Sequence, residues 1–368
     1  MTTAICDRRV ATAPALVGLQ TPDPQASVII VNYNGHKHLG RCLAALRAHC
    51  PAAEVILVDN ASTDGSVELA EQAFPCVRVV RNGANGGFGH GNNVGARWAR
   101  GEYLVFLNPD TVIEPGWLEA LTATLEANPQ GALVTSKILL AAEPERINTC
   151  GNEVHCSGLT LCRGAGQASD TFSHPEEVSA VSGAAFALPR SVFEHLGGFD
   201  EQFFLYMEDT DLSLRARLAG YRCIYTPHSV VRHDYRLRFG PRKTFYQERN
   251  RYLMLLKCLR WRTLLILSPA LLLAELVTWG FVLLHDRQNA GNKLLAYLWV
   301  LRHWKQVMAQ RRRVQATRRT PDRALIESFG HRLAYEQTGT GYTARLAHVM
   351  FDPLFTLARR LALTLVHW

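Results

Sequence analysis

Two short acidic motifs contain the side chains best suited to chemistry. Asn108–Asp110 (NPD) follows an apolar run, and an Asp in that position can ligate a hard divalent cation that bridges a diphosphate. The same residues form turns readily, so the residues alone leave a metal site and a plain turn equally open. Glu208–Asp211 (EDTD) has three carboxylates in four residues, and one of them could be a general base. Acidic residues also favour the first turn of a helix because of its dipole, which should lower their pKa and suits a base less well.

Asp59, the segment Asn85–Asn93 and His233 are weaker candidates. Asp59 could accept a hydrogen bond from a nucleobase N–H, or it could form an Asx turn or cap the next helix. Asn85–Asn93 (NGGFGHGNN) is rich in glycine and could bind phosphate through backbone N–H groups. It matches neither a Walker A loop nor a dinucleotide fingerprint. His233 could complete a metal site that already holds one Asp, although a lone histidine is more often structural.

The elements that position these residues follow from hydrophobic periodicity. Four apolar runs alternate with helical patterns and predict strands at Ser27–Tyr33, Glu54–Val58, Val77–Val80 and Tyr103–Leu107. This alternation is typical of a parallel α/β sheet, in which ligands bind beyond the carboxyl ends of the strands. We therefore expect one edge of the sheet to collect Asn32, Asp59, Arg81 and Asp110.

The region that follows is mixed. Its patterns predict three elements: helix Trp117–Ala127, strand Ser182–Leu188 and helix Asp211–Leu218, capped by Asp209 or Thr210. Gly151–Pro175 is rich in Gly, Ser and His, and we expect it to be exposed.

The net charge of +8 is divided unevenly along the 368 residues. Residues 1–234 carry 17 basic and 25 acidic groups, a balance of −8, and residues 235–368 carry 23 basic and 7 acidic groups, a balance of +16. The protein is thus an acidic body with a basic tail. The nine cysteines show no zinc spacing, and we interpret them as reduced thiols of a cytosolic protein.

The basic tail also contains an apolar segment. Leu264–Leu284 has 16 apolar residues of 21, enough to cross a membrane, but Pro269 and Glu275 interrupt it. A single crossing would also put the basic residues after it outside the cell, against the positive-inside tendency. A segment that lies in the interface, or dips into the membrane and returns, avoids this problem. The nine basic groups of Arg236–Arg262, including Lys243, Arg249, Arg251 and Arg260, would then face anionic lipid. The alternative is a soluble helical subdomain packed on the body.

The order of the motifs resembles the family 2 glycosyltransferases, the inverting GT-A type, and in particular the rhamnosyltransferase-like branch. The resemblance covers residues 27–257 and rests on SVIIVNYNG, VDNASTDGS, NGGFGHGNNVG, FLNPDTVIEPGWL, SGAAF and GGFDEQFFLYMEDTDLSLRARLAGY, followed by His233. It implies a GT-A fold with a largely parallel, mixed sheet flanked by helices. With the composition of the two ends, we expect three regions: a flexible arm at 1–26, the catalytic domain at 27–257 and a basic helical region at 258–368 that is membrane-associated.

The resemblance implies roles for individual residues. Those expected to bind the donor nucleotide are Asn32, Asn34, Asp59, Arg81, Asn85, Gly86, Asn108 and Asp110. Asp209 matches the family's catalytic base, with Glu208 beside it. Gly183, Ala184 and Asp211 are expected in the acceptor and sugar pocket. Asp110 and His233 match metal ligands for Mg²⁺ or Mn²⁺, although Asn108 replaces the first Asp of the family's Asp-x-Asp motif and brings no charge.

The implied reaction transfers a sugar, with rhamnose as the candidate, from a nucleoside-diphosphate sugar to a saccharide or polyprenyl-linked acceptor in cell-surface polysaccharide synthesis. The expected location is the cytoplasmic face of the inner membrane, peripheral or monotopic, against an anionic surface and without nucleic acid. Two alternatives stand beside it. A nucleotidyltransferase should carry a Gly-rich basic loop after the first strand, where this chain has Asn-Tyr-Asn-Gly. A non-catalytic lipid or nucleic-acid binder would use the basic tail alone.

Overall fold

One large mixed sheet forms the centre of the protein. The computed structural model describes residues 23–235, 240–335 and 342–368. The strands are β1 Ala26–Asn32, β2 Glu54–Asp59, β3 Arg78–Arg81, β4 Tyr103–Leu107, β5 Thr111–Ile113, β6 Ala132–Leu140, β7 Ile147–Thr149, β8 Asn152–Val154, β9 Thr160–Cys162, β10 Glu176–Glu177, β11 Ala185–Pro189 and β12 Arg222–His233.

The sheet order across the described residues is β10-β12-β6-β11-β4-β1-β2-β3, with β5 paired to β12 and β7 to β6. Strands β4, β1, β2 and β3 run parallel. Strand β11 runs antiparallel to β4 and to β6. Strands β8 and β9 form a separate two-stranded sheet. The expectation of an α/β fold with a mixed sheet flanked by helices is confirmed. In the described residues, parallel strand pairing is limited to β1–β2, β1–β4, β2–β3 and β6–β12, so the sheet is less parallel than expected.

Helices cover both faces of the sheet and form the tail. They are α1 His36–His49, α2 Ser66–Ala73, α3 Gly87–Trp98, α4 Trp117–Glu126, α5 Arg190–His195, α6 Glu208–Leu218, α7 Pro241–Cys258, α8 Trp261–His285, α9 Ala290–Arg302, α10 Trp304–Ala316, α11 Asp322–Ser328 and α12 Tyr342–Leu365. Short 3₁₀ turns lie at Glu201–Phe203 and Arg287–Asn289.

Alternating side chains of the central strands enter two different cores. Val28 and Ile30 of β1 pack with α1 and α4, whereas Ile29 packs on the opposite face with Phe106 and α6. A third core joins α6 to α7, α8, α10, α11 and α12. The tail is therefore packed continuously against the catalytic body through α6 and α7.

Three predictions about elements require correction. Helix α6 begins at Glu208, so Asp209 lies in its first turn and neither Asp209 nor Thr210 is its cap. The strand predicted at Ser182–Leu188 is shorter and occupies Ala185–Pro189. Gly151–Pro175 is largely buried over residues 151–158, because Cys156 and Gly158 lie under the tail, against Gly330 and Leu255.

The predicted arm lies mostly outside the described residues, which begin at residue 23, and β1 begins at Ala26. Four of the basic residues expected to face lipid, Lys243, Arg249, Arg251 and Lys257, are instead buried. Arg236 and Arg238 lie outside the described residues. Much of the positive charge at the start of the tail is therefore internal and paired with protein groups.

Candidate active site

The carboxyl ends of β1, β2 and β3 bring three predicted residues side by side. Asn32 pairs with Asp59 across β1 and β2, and Asp59 pairs with Arg81 across β2 and β3. The Asn32 side chain is fully buried, and its Nδ2 donates to Asp59 Oδ1 at 3.2 Å and to Ser66 Oγ at 2.8 Å. The edge predicted from the strand pattern is therefore present.

The loop after β2 is ordered by hydrogen bonds to predicted residues. Asp59 is buried and accepts from Ser62 N at 3.1 Å, so the Asx-type turn is present. Asn34 has a positive φ of 54° and accepts from Thr63 N at 2.9 Å. Asp64 accepts from Ser66 N at 3.1 Å and holds the start of α2. Asp59 is thus free of a capping role and remains at the strand end.

Arg81 points away from the strand edge in this structure. Its guanidinium makes a bidentate pair with Glu71 of α2, at 2.7 and 2.9 Å, on the exposed surface. To contact a nucleotide, Arg81 would have to leave this pair. The pair is exposed, and exposed ion pairs contribute little to stability.

The glycine-rich segment forms a tight entry into α3. Gly86 precedes the helix, and Asn85 Oδ1 accepts from Gly87 N at 3.0 Å. Asn60, which directly follows Asp59, donates through Nδ2 to Gly87 O at 3.0 Å and contacts Asn82. These contacts join the segment to the end of β2. Asn60 and Asn82 were not singled out by sequence, where they are ordinary loop amides.

Asp110 and His233 lie together, as predicted for a shared metal. His233 Nδ1 lies 2.9 Å from Asn148 Oδ1, and an imidazole that donates there turns the lone pair of Nε2 toward Asp110. Nε2 is 3.2 Å from Asp110 Oδ1, a buried oxygen that accepts no hydrogen bond of ordinary geometry within the described part of the chain. Two facing lone pairs repel unless a proton or a cation lies between them, and metal-binding histidines usually have their other nitrogen held in this way. The residues present therefore fit a divalent cation.

Additional ligands for such a cation would come from the substrate. In the part of the chain that the structure describes, no group of three or more His, Cys, Asp or Glu side chains could hold a metal ion alone. Burial acts to raise the pKa of Asp110, but His233, the backbone N–H of Asp110 itself and the nearby His38 together outweigh it, and this pKa lies below its ordinary value. Asp110 is therefore ionised at neutral pH.

Asn108 contributes backbone contacts. Its N–H donates to Ala184 O at 3.0 Å, and its carbonyl accepts from Thr111 Oγ1 at 2.7 Å. The turn expected of this motif is present together with the Asp110–His233 pair. The two interpretations of Asn108–Asp110 are thus compatible.

The Asp209 carboxylate is held by four hydrogen bonds. Oδ2 accepts from Gly183 N at 2.7 Å and from Asn152 Nδ2 at 3.0 Å. Oδ1 accepts from Thr210 N at 2.7 Å and from Thr210 Oγ1 at 3.2 Å. Burial raises the pKa of Asp209 in spite of these bonds, so the net shift is opposite in direction to the lowering expected from the helix dipole.

Glu208 is the more deeply buried neighbour. Its Oε2 is buried and accepts no hydrogen bond from the residues that the structure describes. Burial, together with the nearby charge of Asp209, raises the pKa of Glu208 to about 8. The two adjacent carboxyl groups therefore hold one negative charge more readily than two.

Asp211 is placed differently from its prediction. It is fully buried, 2.8 Å from Arg215 Nε and 2.8 Å from Lys257 Nζ. Lys257 also pairs with Asp200. These contacts put Asp211 in an ion cluster beneath α6, because its side chain points opposite to that of Asp209. The expectation that Asp211 lines a sugar pocket is corrected.

Gly183 and Ala184 connect the two acidic motifs. Gly183 N contacts the Asp209 carboxylate, and the next residue, Ala184, accepts from Asn108 N. The candidate base and the candidate metal motif are thus separated by a single peptide unit. Asn148 and Asn152, which orient His233 and Asp209, were missed by sequence reasoning because an isolated Asn carries no pattern.

Comparison with solved structures defines the fold. The structure of GalNAc-T7 with UDP, GalNAc and Mn²⁺ superposes with a TM-score of 0.54 at 20% identity, covering 64% of this chain and 48% of that one. The structure of Staphylococcus aureus TarS 1-349 gives a TM-score of 0.51 at 16% identity and covers 91% of each chain. The fold is that of the GT-A glycosyltransferases.

Sequence comparison gives the family. The model of glycosyl transferase family 2 matches residues 27–197. The N-acetylglucosaminyl-diphospho-decaprenol L-rhamnosyltransferase of Mycobacterium tuberculosis (strain CDC 1551 / Oshkosh) is 31% identical over 239 residues, covering 56% of this chain and 75% of that protein. The O-antigen biosynthesis protein RfbC of Myxococcus xanthus is 32% identical over 224 residues, covering 56% and 17%.

The chain belongs to glycosyl transferase family 2, and the resemblance read from its motifs is confirmed. It is an enzyme of the glycosyltransferase class. The nucleotidyltransferase alternative is not favoured.

Proposed function

We propose that this enzyme transfers a sugar, with inversion, from a nucleoside-diphosphate sugar to a hydroxyl of a lipid-linked saccharide. The observation that carries the proposal is the peptide Gly183–Ala184, which contacts Asp209 on one side and the Asn108–Asp110 motif on the other. This arrangement suits a single displacement in which a base activates the attacking hydroxyl and a diphosphate site binds the leaving group. The mycobacterial relative is an N-acetylglucosaminyl-diphospho-decaprenol L-rhamnosyltransferase, which supports a polyprenyl-linked acceptor and rhamnose as the transferred sugar.

Asp209 acts as the general base. It takes the proton of the acceptor hydroxyl while that oxygen bonds to the anomeric carbon and the bond from this carbon to the diphosphate breaks. Gly183 and Asn152 hold the carboxylate in place, and its raised pKa makes it a stronger proton acceptor. A divalent cation, Mg²⁺ or Mn²⁺, held by Asp110 and His233 would neutralise charge on the diphosphate.

The donor nucleotide lies, in this proposal, along the carboxyl edge of the sheet. Asp59 accepts from the base, with Asn32 and Asn34 beside it. Asn85 and Gly86 approach the nucleotide at the entry of α3, and Arg81 joins them after leaving Glu71. Asn108 contacts the ribose or phosphate, and Gly183 and Ala184 lie beneath the sugar.

Membrane attachment completes the proposal, with the active site at the cytoplasmic face. In the described residues one helix, α8, is long and apolar enough to cross a membrane. Its leucines Leu265, Leu272, Leu276, Leu283 and Leu284 are exposed, and α12 beside it exposes Val349, Met350, Leu354, Leu357 and Leu361. We call this surface the apolar α8–α12 face. Such a surface is suited to helices that lie in the water–lipid interface, and α8 can remain packed on the protein in that position.

Charged and aromatic residues border the start of this face. Trp261 and Trp304 are exposed, and their rings lie 6.1 Å apart. The exposed basic residues Arg260, Arg262, Arg302 and Lys305 flank them in sequence. Tryptophan and basic side chains are typical of the water–lipid interface.

We place the boundary between the catalytic domain and this helical region at residues 257 and 258.

The test combines donor binding with transfer. Thermal shifts with dTDP-, UDP- and GDP-sugars, with Mg²⁺ or Mn²⁺, should identify a donor, because a ligand of the folded state raises its stability. That donor and N-acetylglucosaminyl-diphospho-decaprenol should then give product, and Asp209→Asn should fold normally, bind the donor and lose about 10²–10⁴-fold in rate.

Asp170→Asn, at an exposed carboxylate in the loop between β9 and β10, is the matched control and should retain the wild-type rate. Near-normal turnover by Asp209→Asn would refute the assignment of the base. Absence of a thermal shift with every donor would count against the proposed substrate class.

A further inference from the structure

The segment that leads into the catalytic helix has an unusual backbone. Phe204, Tyr206 and Met207 all have positive φ, at 61°, 69° and 67°. None of them is glycine, and bulky L residues are strained in this region. Such conformations persist only where surrounding contacts hold them. Because Glu208 and Asp209 follow Met207 directly, whatever holds the segment 203–207 also sets the start of α6.

Asn250 of α7 makes the main contacts that hold this segment. It is fully buried, and its Nδ2 donates to Tyr206 O at 2.7 Å and to the carbonyls of Phe203 and Leu205, both at 3.0 Å. One side-chain amide thus serves three carbonyls of one loop with its two hydrogens. Helix α7 begins the basic tail and is distant in sequence from the loop.

Arg249 orients that amide. Its Nε donates to Asn250 Oδ1 at 2.9 Å, which turns the Nδ2 group of Asn250 toward the loop. Its terminal nitrogen donates to Phe203 O at 2.8 Å and to Gln202 O. The buried guanidinium of Arg249 therefore donates to backbone carbonyls, although the sequence predicted that it would face lipid.

The glycine-rich segment contacts the same loop from the side of the proposed nucleotide site. Phe88 N donates to Phe204 O at 2.8 Å. Gly87 has a positive φ of 84°, and a Cβ there would lie 2.2 Å from Phe204 O, so only glycine permits this approach. The Phe204 ring stacks on Tyr246 of α7 at 5.2 Å. The segment 203–207, which we call the catalytic loop, is therefore held between the glycine-rich segment and α7.

We propose that Asn250, oriented by Arg249, is a positioning residue for the catalytic base, acting through the strained loop 203–207. This inference rests on the proposed function, because it takes Asp209 as the base. Loss of the three donated hydrogen bonds would let the loop relax toward ordinary φ values and shift the first turn of α6. A misplacement of about 1 Å in a catalytic group can lower a rate by about 10²-fold.

The test replaces Asn250 in the full-length enzyme. Asn250→Ala removes the donors, and Asn250→Asp keeps the shape but can only accept hydrogen bonds when it is ionised. Both should lower kcat by about 10- to 100-fold while the KM for the donor chosen by thermal shift changes less than about 3-fold. The acid limb of the pH–kcat profile should also move to lower pH, because Asp209 becomes more hydrated as the loop loosens.

Gln315→Ala is the matched control. Gln315 is a half-buried amide of α10 whose Nε2 donates to the backbone carbonyls of Lys257, at 2.7 Å, and Cys258, at 3.1 Å, away from the loop. It should lower stability without changing kcat or the pH profile. Arg249→Lys keeps the positive charge but loses the Nε contact with Asn250, and it should reproduce part of the kcat loss.

Equal loss of kcat in Asn250→Ala and Gln315→Ala, or an unchanged kcat and pH profile in both Asn250 variants, would overturn the proposal. If neither Asn250 variant folds, Arg249→Lys tests the proposal instead. A wild-type kcat in that variant would then count against a positioning role for Asn250 and Arg249. Failure of the base assignment is a separate outcome, because only that failure leaves Asp209→Asn active. Faster hydrogen exchange of amides 203–207 in Asn250→Ala would confirm that the loop has loosened.

Discussion

Glu208 and Asp209 are adjacent carboxyl groups that experience different surroundings. Among the described residues, Asp209 has four hydrogen-bond donors, whereas Glu208 has a buried oxygen without a donor. Both pKa values are raised by burial, and that of Glu208 reaches about 8. At neutral pH we therefore expect a neutral Glu208 beside the carboxylate that acts as the base.

The first prediction concerns stability and pH in Glu208→Gln. The folded protein keeps the Glu208 proton up to about pH 8, whereas the unfolded chain releases it near the ordinary value of 4.5. Wild-type stability therefore falls as pH rises between these values, because the folded state binds more protons. Glutamine cannot ionise, so the variant should gain stability relative to wild type between pH 5 and pH 8, as measured by urea unfolding. A constant difference across this range would contradict the raised pKa.

The second prediction concerns Asn148, the partner of His233. Removing a group that orients a metal-binding histidine typically costs about 10–100-fold in metal affinity, so Asn148→Ala should weaken Mn²⁺ binding by that factor. Isothermal titration of Mn²⁺ with nucleoside diphosphate present measures this without turnover. Asn128→Ala, at a half-buried amide that donates to Thr124 O, is the control. Unchanged Mn²⁺ affinity in Asn148→Ala would exclude this role.

Helix α7 is the element with two functions. One side holds the catalytic loop through Arg249 and Asn250. Another side carries Glu248 and Arg251, which form a buried ion cluster with Glu275 of α8 and Lys293 of α9. Glu275, expensive in lipid when considered alone, is therefore paired inside the protein. The cluster joins the apolar helices to the catalytic body.

The third prediction tests this cluster with Glu275→Leu. Two cations, Arg251 and Lys293, would share one carboxylate, that of Glu248. Breaking a fully buried pair costs about 3–5 kcal/mol. The cost here should be smaller because the Glu275 side chain is 21% exposed. Urea unfolding measures the loss, and adding Lys293→Met should recover part of it. A double variant less stable than Glu275→Leu would argue that the charges act independently.

The whole molecule has opposite charges on its two parts. The body, with a balance of −8, contains the candidate diphosphate site. Charged groups and hydrogen-bond donors are few at this site, and each is held in position. The positive tail divides between buried residues that support the loop and the ion clusters, and exposed residues, some of which lie around Trp261 and Trp304. Only the exposed group is available for anionic lipid. This distribution is what we expect if, as proposed, the enzyme is monotopic and its active site faces a lipid-linked acceptor.

The fourth prediction tests that surface with the variant Leu272→Glu/Leu276→Glu. These side chains are 70% and 63% exposed on α8, so the change should leave the fold intact. Removing two buried apolar contacts from a bilayer should weaken binding to phosphatidylglycerol-containing vesicles by more than about 10-fold in sedimentation assays. Trp98→Glu, at an exposed apolar residue of the catalytic domain, is the control. Wild-type binding by the double variant would refute the apolar α8–α12 face.

The sequence alone predicts much of the catalytic half. The strands at Glu54 and Tyr103 and the strand-end positions of Asn32, Asp59 and Arg81 follow from periodicity, because a strand's pattern and its polar end are both local. The family was also recoverable, since its motifs are short and ordered. The helix start at Glu208 was missed because the left-handed residues before it give no pattern.

The tertiary structure decided which charges are used and where. Lys243, Arg249 and Asp211 looked like lipid or sugar contacts, but they are buried because α7 packs against the catalytic loop and α6. Asn148, Asn152 and Asn250 became site residues only when distant segments met. A side chain's hydrogen-bond partners and burial depend on contacts between segments far apart in sequence, which local pattern does not encode.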